Sequence, residues 1–271
     1  MPLWIELDEL ANLRDVGGVP TVDGGEIAPG RLLRSDNLQT LTDSDVDALL
    51  ALGVTDVVDL RSDYERDAEG PGPLTKTDVR HHPHSFFREW REGVGVDKEG
   101  DDAKAAEERP EAVPDEALPW VDLEPSVKME NEVAGVYLSY VVDRPDSVLA
   151  GLRHIAEADG ATLVHCAAGK DRTGTVVALA LSVAGADREA IVADYAASTE
   201  RMEAILERLL GTQTYAANLR DRPMSSHITH PETMQAFLDH VDAEYGGVEP
   251  LLARIGWTGS DSERLRTKLR G

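Results

Sequence analysis

Apolar positions along the chain change period several times, and each change marks an element. Over residues 41–53 they recur every three or four positions, behind a start rich in hydroxyl and acidic side chains and before a closing glycine. That is the pattern of a capped helix. Residues 54–60 form an apolar, β-branched run that predicts a strand directly after it. The alternation resumes with helices over about 126–142 and 145–158, a strand over 161–165 and a buried apolar helix over 173–182. Helices over 186–195, 198–210, 231–245 and 248–254 make the last third of the chain helical. Strands alternating with helices predict one α/β domain over 1–271, with a mainly parallel central sheet flanked by helices. Residues 93–119 break the pattern. Their Asp, Glu, Lys, Ala and Pro show no apolar period, which predicts an acidic flexible insert or, alternatively, a flap beside a pocket.

Composition narrows the setting. A length of 271 residues with 41% hydrophobic side chains is enough for a real core. The net charge of −24 speaks against nucleic acid, whose binding depends on basic groups that displace counterions. A single cysteine excludes an intramolecular disulfide, and a reactive role for it favours a reducing compartment, so the cytoplasm is expected. The amino terminus lacks the basic start and apolar core of a secretory signal, and no apolar run reaches membrane-spanning length. Export without a cleaved signal stays open.

That one cysteine lies in His165-Cys-Ala-Ala-Gly-Lys-Asp-Arg-Thr-Gly174, between the strand over 161–165 and the helix over 173–182. Backbone N–H groups at such a helix start lack helical partners, and with the helix dipole they can converge on an oxyanion. The loop residues Ala167, Ala168, Gly169, Lys170, Thr173 and Gly174 are the candidate phosphate cradle, and Arg172 adds a planar fork matched to two phosphate oxygens. The same surroundings favour a thiolate at Cys166, able to attack phosphorus in line and form a phosphocysteine that water then hydrolyses. Thr173 is a candidate donor to the sulfur, His165 a support beneath the loop, and Lys170 a second cation for substrates bearing more than one acidic group. Gly169 permits close backbone approach or a positive φ. This chemistry calls for no metal or other cofactor. A Walker A loop would need a hydroxyl residue directly after Lys170, where Asp171 stands. Asp59, at the carboxyl end of the run over 54–60, is either a further catalytic carboxylate or a strand-end residue satisfied by Arg61. The clusters His81-His-Pro-His84 and His227-x2-His230 lack the spacing of a catalytic zinc site and read as local packing or surface histidines.

The loop resembles the Cys-x5-Arg signature of the protein tyrosine phosphatase superfamily, and its Ala-Gly-Lys-Asp-Arg-Thr-Gly is similar to the atypical bacterial PtpB-like tyrosine phosphatases. Asn12-Leu-Arg-Asp-Val-Gly-Gly18, Pro29-Gly-Arg-Leu-Leu-Arg-Ser35 and Gly53-Val-Thr-Asp-Val-Val-Asp-Leu-Arg61 extend the likeness to the amino-terminal half. The resemblance implies hydrolysis of phosphotyrosine-type monoesters, extending to phosphoserine or phosphothreonine, with a phosphoinositide phosphatase as the alternative. A phosphorylated protein or phosphoinositide would then be the partner. It also implies that Asp171 is the general acid, since no Trp-Pro-Asp tripeptide occurs, and Pro119-Trp-Val-Asp122 is the weaker substitute. Residues 198–231 are where the resemblance places a lid, although plain packing would give the same apolar stripes. Outside this class, a sulfurtransferase and a phosphate-reading module without catalysis are the competitors.

Overall fold

The computed structural model describes residues 2–87, 125–220 and 222–271. The expected insert over 93–119 and the Pro119 to Asp122 run lie outside those residues. Six strands form one sheet: β1 (Leu3–Trp4), β2 (Arg14–Asp15), β3 (Leu32–Ser35), β4 (Val54–Asp59), β5 (Arg80–Pro83) and β6 (Ala161–His165), in the order β1-β2-β3-β6-β4-β5. The block β3-β6-β4-β5 is parallel, and β1 and β2 add an antiparallel edge. In register, His165 pairs with both Ser35 and Asp59, so three carboxyl ends finish level with one another. Ligand sites of open α/β sheets form beyond such ends.

Alternation along the central strands feeds two cores, because successive side chains leave opposite faces. Leu32, Val58 and Val164 enter the larger core. It is built with α3 (Glu132–Asp143), α4 (Pro145–Glu157), α5 (Asp171–Val183), α6 (Arg188–Ala197), α9 (Pro231–Tyr245), α10 (Val248–Arg254) and α11 (Gly259–Arg270). Leu33, Val57 and Leu163 enter the smaller one, covered by α1 (Asp43–Ala51). A short helix α2 (Asp63–Glu69) follows β4, and α7 (Met202–Leu210) and α8 (Gln213–Leu219) carry a third apolar cluster.

Helix bounds follow local chemistry. Thr42 and Asp45 cap α1 reciprocally, as the hydroxyl and acidic residues there predict. The helix expected from about 126 begins only at Glu132, because the Asn131 side chain accepts from the Ala134 N–H and sets the first turn. The helix expected over 198–210 opens as a 3-10 turn over Ser198–Arg201, where the Ser198 hydroxyl is held by Asn12 and Arg14. Pro83 ends β5, an edge strand where its missing N–H interrupts no inner ladder. Among the described residues, no helix is long and apolar enough to cross a membrane.

Candidate active site

The strand β6 ends at His165, the next residue is Cys166, and α5 starts at Asp171, so the loop between them is short and tightly supported. Cys166 is 2% exposed. Gly169 has φ +66°, and a Cβ there would lie 2.3 Å from the Ser35 carbonyl oxygen, so only glycine fits. The loop carbonyls are taken up from outside. Asn12 Nδ2 donates to Ala168 O at 2.9 Å and to Gly169 O at 3.2 Å, Arg34 Nη2 to Gly169 O at 2.8 Å, and the Asn37 N–H to Ala167 O at 3.0 Å. In a trans peptide the N–H points away from the preceding C=O, so these bonds turn the N–H groups of Ala168, Gly169 and Lys170 to the opposite side of the loop. That is the geometry of an anion cradle.

The braces are themselves buried and paired. Asp194 of α6 accepts from Arg14 Nε at 2.9 Å and from Arg34 Nη1 at 2.5 Å. Burial works against the Asp194 carboxylate, but the two guanidinium groups outweigh it and hold its pKa below the ordinary value. Burial and the neighbouring Arg34 push Arg14 down to about 10, against the pull of Asp194. The amino-terminal motifs therefore serve to hold the loop.

Arg172 is 5% exposed and points its guanidinium back under the loop. Its Nη1 donates to Glu65 Oε2 at 2.6 Å and its Nη2 to Glu65 Oε1 at 3.0 Å, a bidentate pair with α2. Glu65 also accepts from the Ser62 N–H at 2.7 Å and from the Tyr215 hydroxyl of α8 at 2.9 Å. The Phe87 ring lies 5.1 Å from the guanidinium carbon. Burial disfavours the Arg172 charge, yet Glu65 and then Cys166 raise its pKa well above normal. Sequence reasoning missed Glu65. The available signal was the capping-box spacing Ser62-x-x-Glu65 just past β4.

Asp171 and Lys170 stand at the mouth. Tyr137 Oη donates to Asp171 Oδ1 at 2.5 Å, and Lys170 Nζ lies 3.7 Å from Asp171 Oδ2 while donating to the His227 carbonyl at 2.8 Å. Thr173 Oγ1 is buried with no hydrogen-bond partner among the described residues. Gly174 lies against Tyr195, where a Cβ would meet the ring at 3.0 Å. Ala167 and Ala168 face the apolar cluster of Met202, Ile205, Leu206, Leu209 and Tyr215 from α7 and α8.

Asp59 sits behind the loop. It accepts from Arg61 through Nε at 3.0 Å and Nη2 at 2.7 Å, with His165 Nε2 at 3.6 Å. Burial opposes its charge, but His165 and Arg61 hold its pKa well below the carboxylate range. Burial outweighs the Asp59 charge at His165 and pushes the imidazole down to about 4, so the ring beneath Cys166 is neutral at pH 7. His165 Nδ1 lies 3.3 Å from the Cys166 carbonyl oxygen. His82, His84 and His154 form a stacked cluster away from the loop, and His230 is exposed. His82 bonds Asp56 at 2.8 Å and stacks on His154 with ring centres 3.7 Å apart. Among the described residues, no three His, Cys, Asp or Glu side chains gather to hold a metal.

Residues 5–271 match the model of the tyrosine phosphatase family. The triple specificity protein phosphatase PtpB of Mycobacterium tuberculosis is 30% identical over 98% of this chain and 99% of its own length. A tyrosine-protein phosphatase of Nostoc commune is 28% identical over 92% of this chain and 78% of its own. The crystal structure of P. aeruginosa TpbA aligns over 87% of this chain and 95% of its own at 16% identity and a TM-score of 0.31, a likeness too remote to carry an argument.

Proposed function

Because the chain belongs to the tyrosine phosphatase family, we propose that it hydrolyses phosphotyrosine-type monoesters through a phosphocysteine at Cys166, without a metal. The observation that carries this reading is the loop from Cys166 to Arg172, its carbonyls tied outward and its arginine pinned by a buried carboxylate. The Cys166 sulfur forms a bond to phosphorus as the bond to the leaving oxygen breaks. That oxygen keeps the electron pair and takes a proton from Asp171. Water then attacks the phosphocysteine, gives a proton back to Asp171, and the electron pair of the S–P bond returns to sulfur. The loop N–H groups and Arg172 neutralise the charge on the equatorial oxygens throughout. Thr173, with its unpartnered hydroxyl, is the donor to the departing thiolate. Asp59 acts on His165 and Arg61 from behind the loop and takes no part in proton transfer to substrate.

Residues 198–231 act as the lid. The apolar side chains of α7 and α8 cover Ala167 and Ala168, and the His227 carbonyl holds Lys170. Lys170 and Arg172 concentrate positive charge in a chain of net charge −24, which extends the substrate range to phosphoserine, phosphothreonine and phosphoinositides. The name of the mycobacterial relative, triple specificity, supports that breadth.

The deciding experiment measures hydrolysis of an aryl phosphate and a phosphotyrosine peptide, with chelator present, by the wild type and Cys166→Ser. Turnover in the wild type alone is expected. Turnover that survives the substitution, or is absent from both proteins, overturns the mechanism. Inositol phosphates assayed beside the peptide separate lipid-type from protein-type preference.

A further inference from the structure

A buried chain of hydroxyl groups ends on Asp171, and no step of the reaction above uses it. Tyr137 Oη donates to Asp171 Oδ1 at 2.5 Å and lies 2.8 Å from Tyr195 Oη. A phenol has one hydrogen, and that of Tyr137 is committed to the carboxyl group, so Tyr195 is the donor between the two rings. Both donors point the same way, from Tyr195 of α6 through Tyr137 of α3 onto the first residue of α5. Hydrogen bonds aligned like this polarise one another in a low dielectric. Both phenols stay protonated at working pH. Burial first, then Asp171 and Tyr195, raise Tyr137 well above its ordinary value, and burial does the same for Tyr195.

An oxygen that accepts the Tyr137 hydrogen is the wrong place for the acidic proton. The proton of a neutral Asp171 therefore resides on Oδ2, the oxygen on the Lys170 side of a partly exposed side chain. Without the tether, the carboxyl group is free to rotate, and Oδ2, now 3.7 Å from the Lys170 ammonium, loses its fixed direction toward the leaving oxygen.

We infer that Tyr137 is the positioning residue for the general acid, holding Oδ1 of Asp171 inward so that Oδ2 presents the proton to the leaving oxygen, with Tyr195 keeping Tyr137 in its donating orientation. The inference rests on the assignment of Asp171 as the acid. When the bond from phosphorus to the leaving oxygen breaks, Oδ2 gives up its proton and the new carboxylate is met by the Tyr137 hydrogen bond.

The test is kcat/KM, which reports the steps up to the phosphocysteine, for p-nitrophenyl phosphate and phenyl phosphate. It is measured on the wild type, Tyr137→Phe, Asp171→Asn and the double variant. Tyr137→Phe is expected to slow phenyl phosphate about tenfold and p-nitrophenyl phosphate less than about twofold, because only the poorer leaving group needs the proton. The double variant should be no slower than Asp171→Asn. Equal slowing of both substrates, or effects that multiply in the double variant, overturns the inference. If Tyr137→Phe does not fold, Tyr195→Phe keeps the tether and removes its support. It should show the same selectivity at smaller amplitude, and uniform slowing or no change there overturns the inference. An Asp171→Asn variant without leaving-group selectivity, beside an inactive Cys166→Ser, removes the acid assignment and this inference together. Selectivity in Asp171→Asn without selectivity in Tyr137→Phe removes this inference alone.

Discussion

Replacing Glu65 with glutamine tests the support of Arg172, the proposed phosphate-binding arginine. Four donors converge on that carboxylate: both Nη groups of Arg172, the Ser62 N–H and the Tyr215 hydroxyl. Its two oxygens offer about four lone-pair sites, so its capacity is filled. Glutamine has one acceptor oxygen, and its amide nitrogen would face two of the donors. Two lost charge-assisted bonds cost about 1.5–3 kcal/mol each, and breaking one side of a buried ion pair costs about 3–5 kcal/mol. Both routes give a similar figure. For a chain of this size that lowers Tm by roughly 6–20 °C, at about 2–4 °C per kcal/mol. A poorly held Arg172 also loses its aim at the equatorial phosphate oxygens, so kcat/KM on an aryl phosphate should fall by about 10²–10³. Thermal melts and steady-state kinetics on Glu65→Gln measure both effects. Arg264→Ala serves as control, since it removes a half-exposed side chain paired with Glu157 and, within its own helix, with Asp261, and should shift stability by no more than about 1 kcal/mol. A Glu65→Gln protein with a Tm within about 2 °C of wild type and undiminished activity would refute the argument.

Three further outcomes are expected. Gly169→Ala places a Cβ 2.3 Å from Ser35 O at a φ of +66°; it should cost at least about 1–3 kcal/mol and abolish aryl phosphatase activity, and a wild-type melt would contradict this. His165 and His84 are both pushed down to about 4 from 6.5, by burial at each and by the neighbouring His154 and His82 at His84. The unfolded chain therefore binds more protons than the folded one between those values, so stability is complete above pH 6.5 and falls as pH drops toward 4. His84→Gln should flatten that slope in denaturant titrations, and an unchanged slope would exclude His84 as a contributor. Arg208 ties α7 to Asp36, Asn37 and Thr40, so Arg208→Ala should speed limited proteolysis within residues 198–231. Cleavage at the wild-type rate would count against Arg208 as a latch on that segment.

Much of the fold and part of the site were legible in the chain. The strand, loop and helix around Cys166, the bounds of α9 and α10 and the capped start of α1 depend on apolar period, capping side chains and glycine, all acting within a few residues. Cys166 and Arg172, the proposed nucleophile and its arginine, share one loop, so their spacing alone brought them together. Glu65 escaped because α2 is short and polar, and its value lies in a partner 107 residues away. No motif marks Tyr137 or Tyr195, and only the packing of α3 and α6 on the start of α5 brings the Tyr137 hydroxyl to Asp171 and the Tyr195 hydroxyl to Tyr137. Asp59 was open to two readings because the register of β4 with β6 is what sets it beside His165 while Arg61 takes its charge. Local backbone preference, readable in sequence, determined the elements and the reactive loop. Which buried donor meets which acceptor was decided only when distant segments packed, because a side chain's partner depends on the space that other elements leave it.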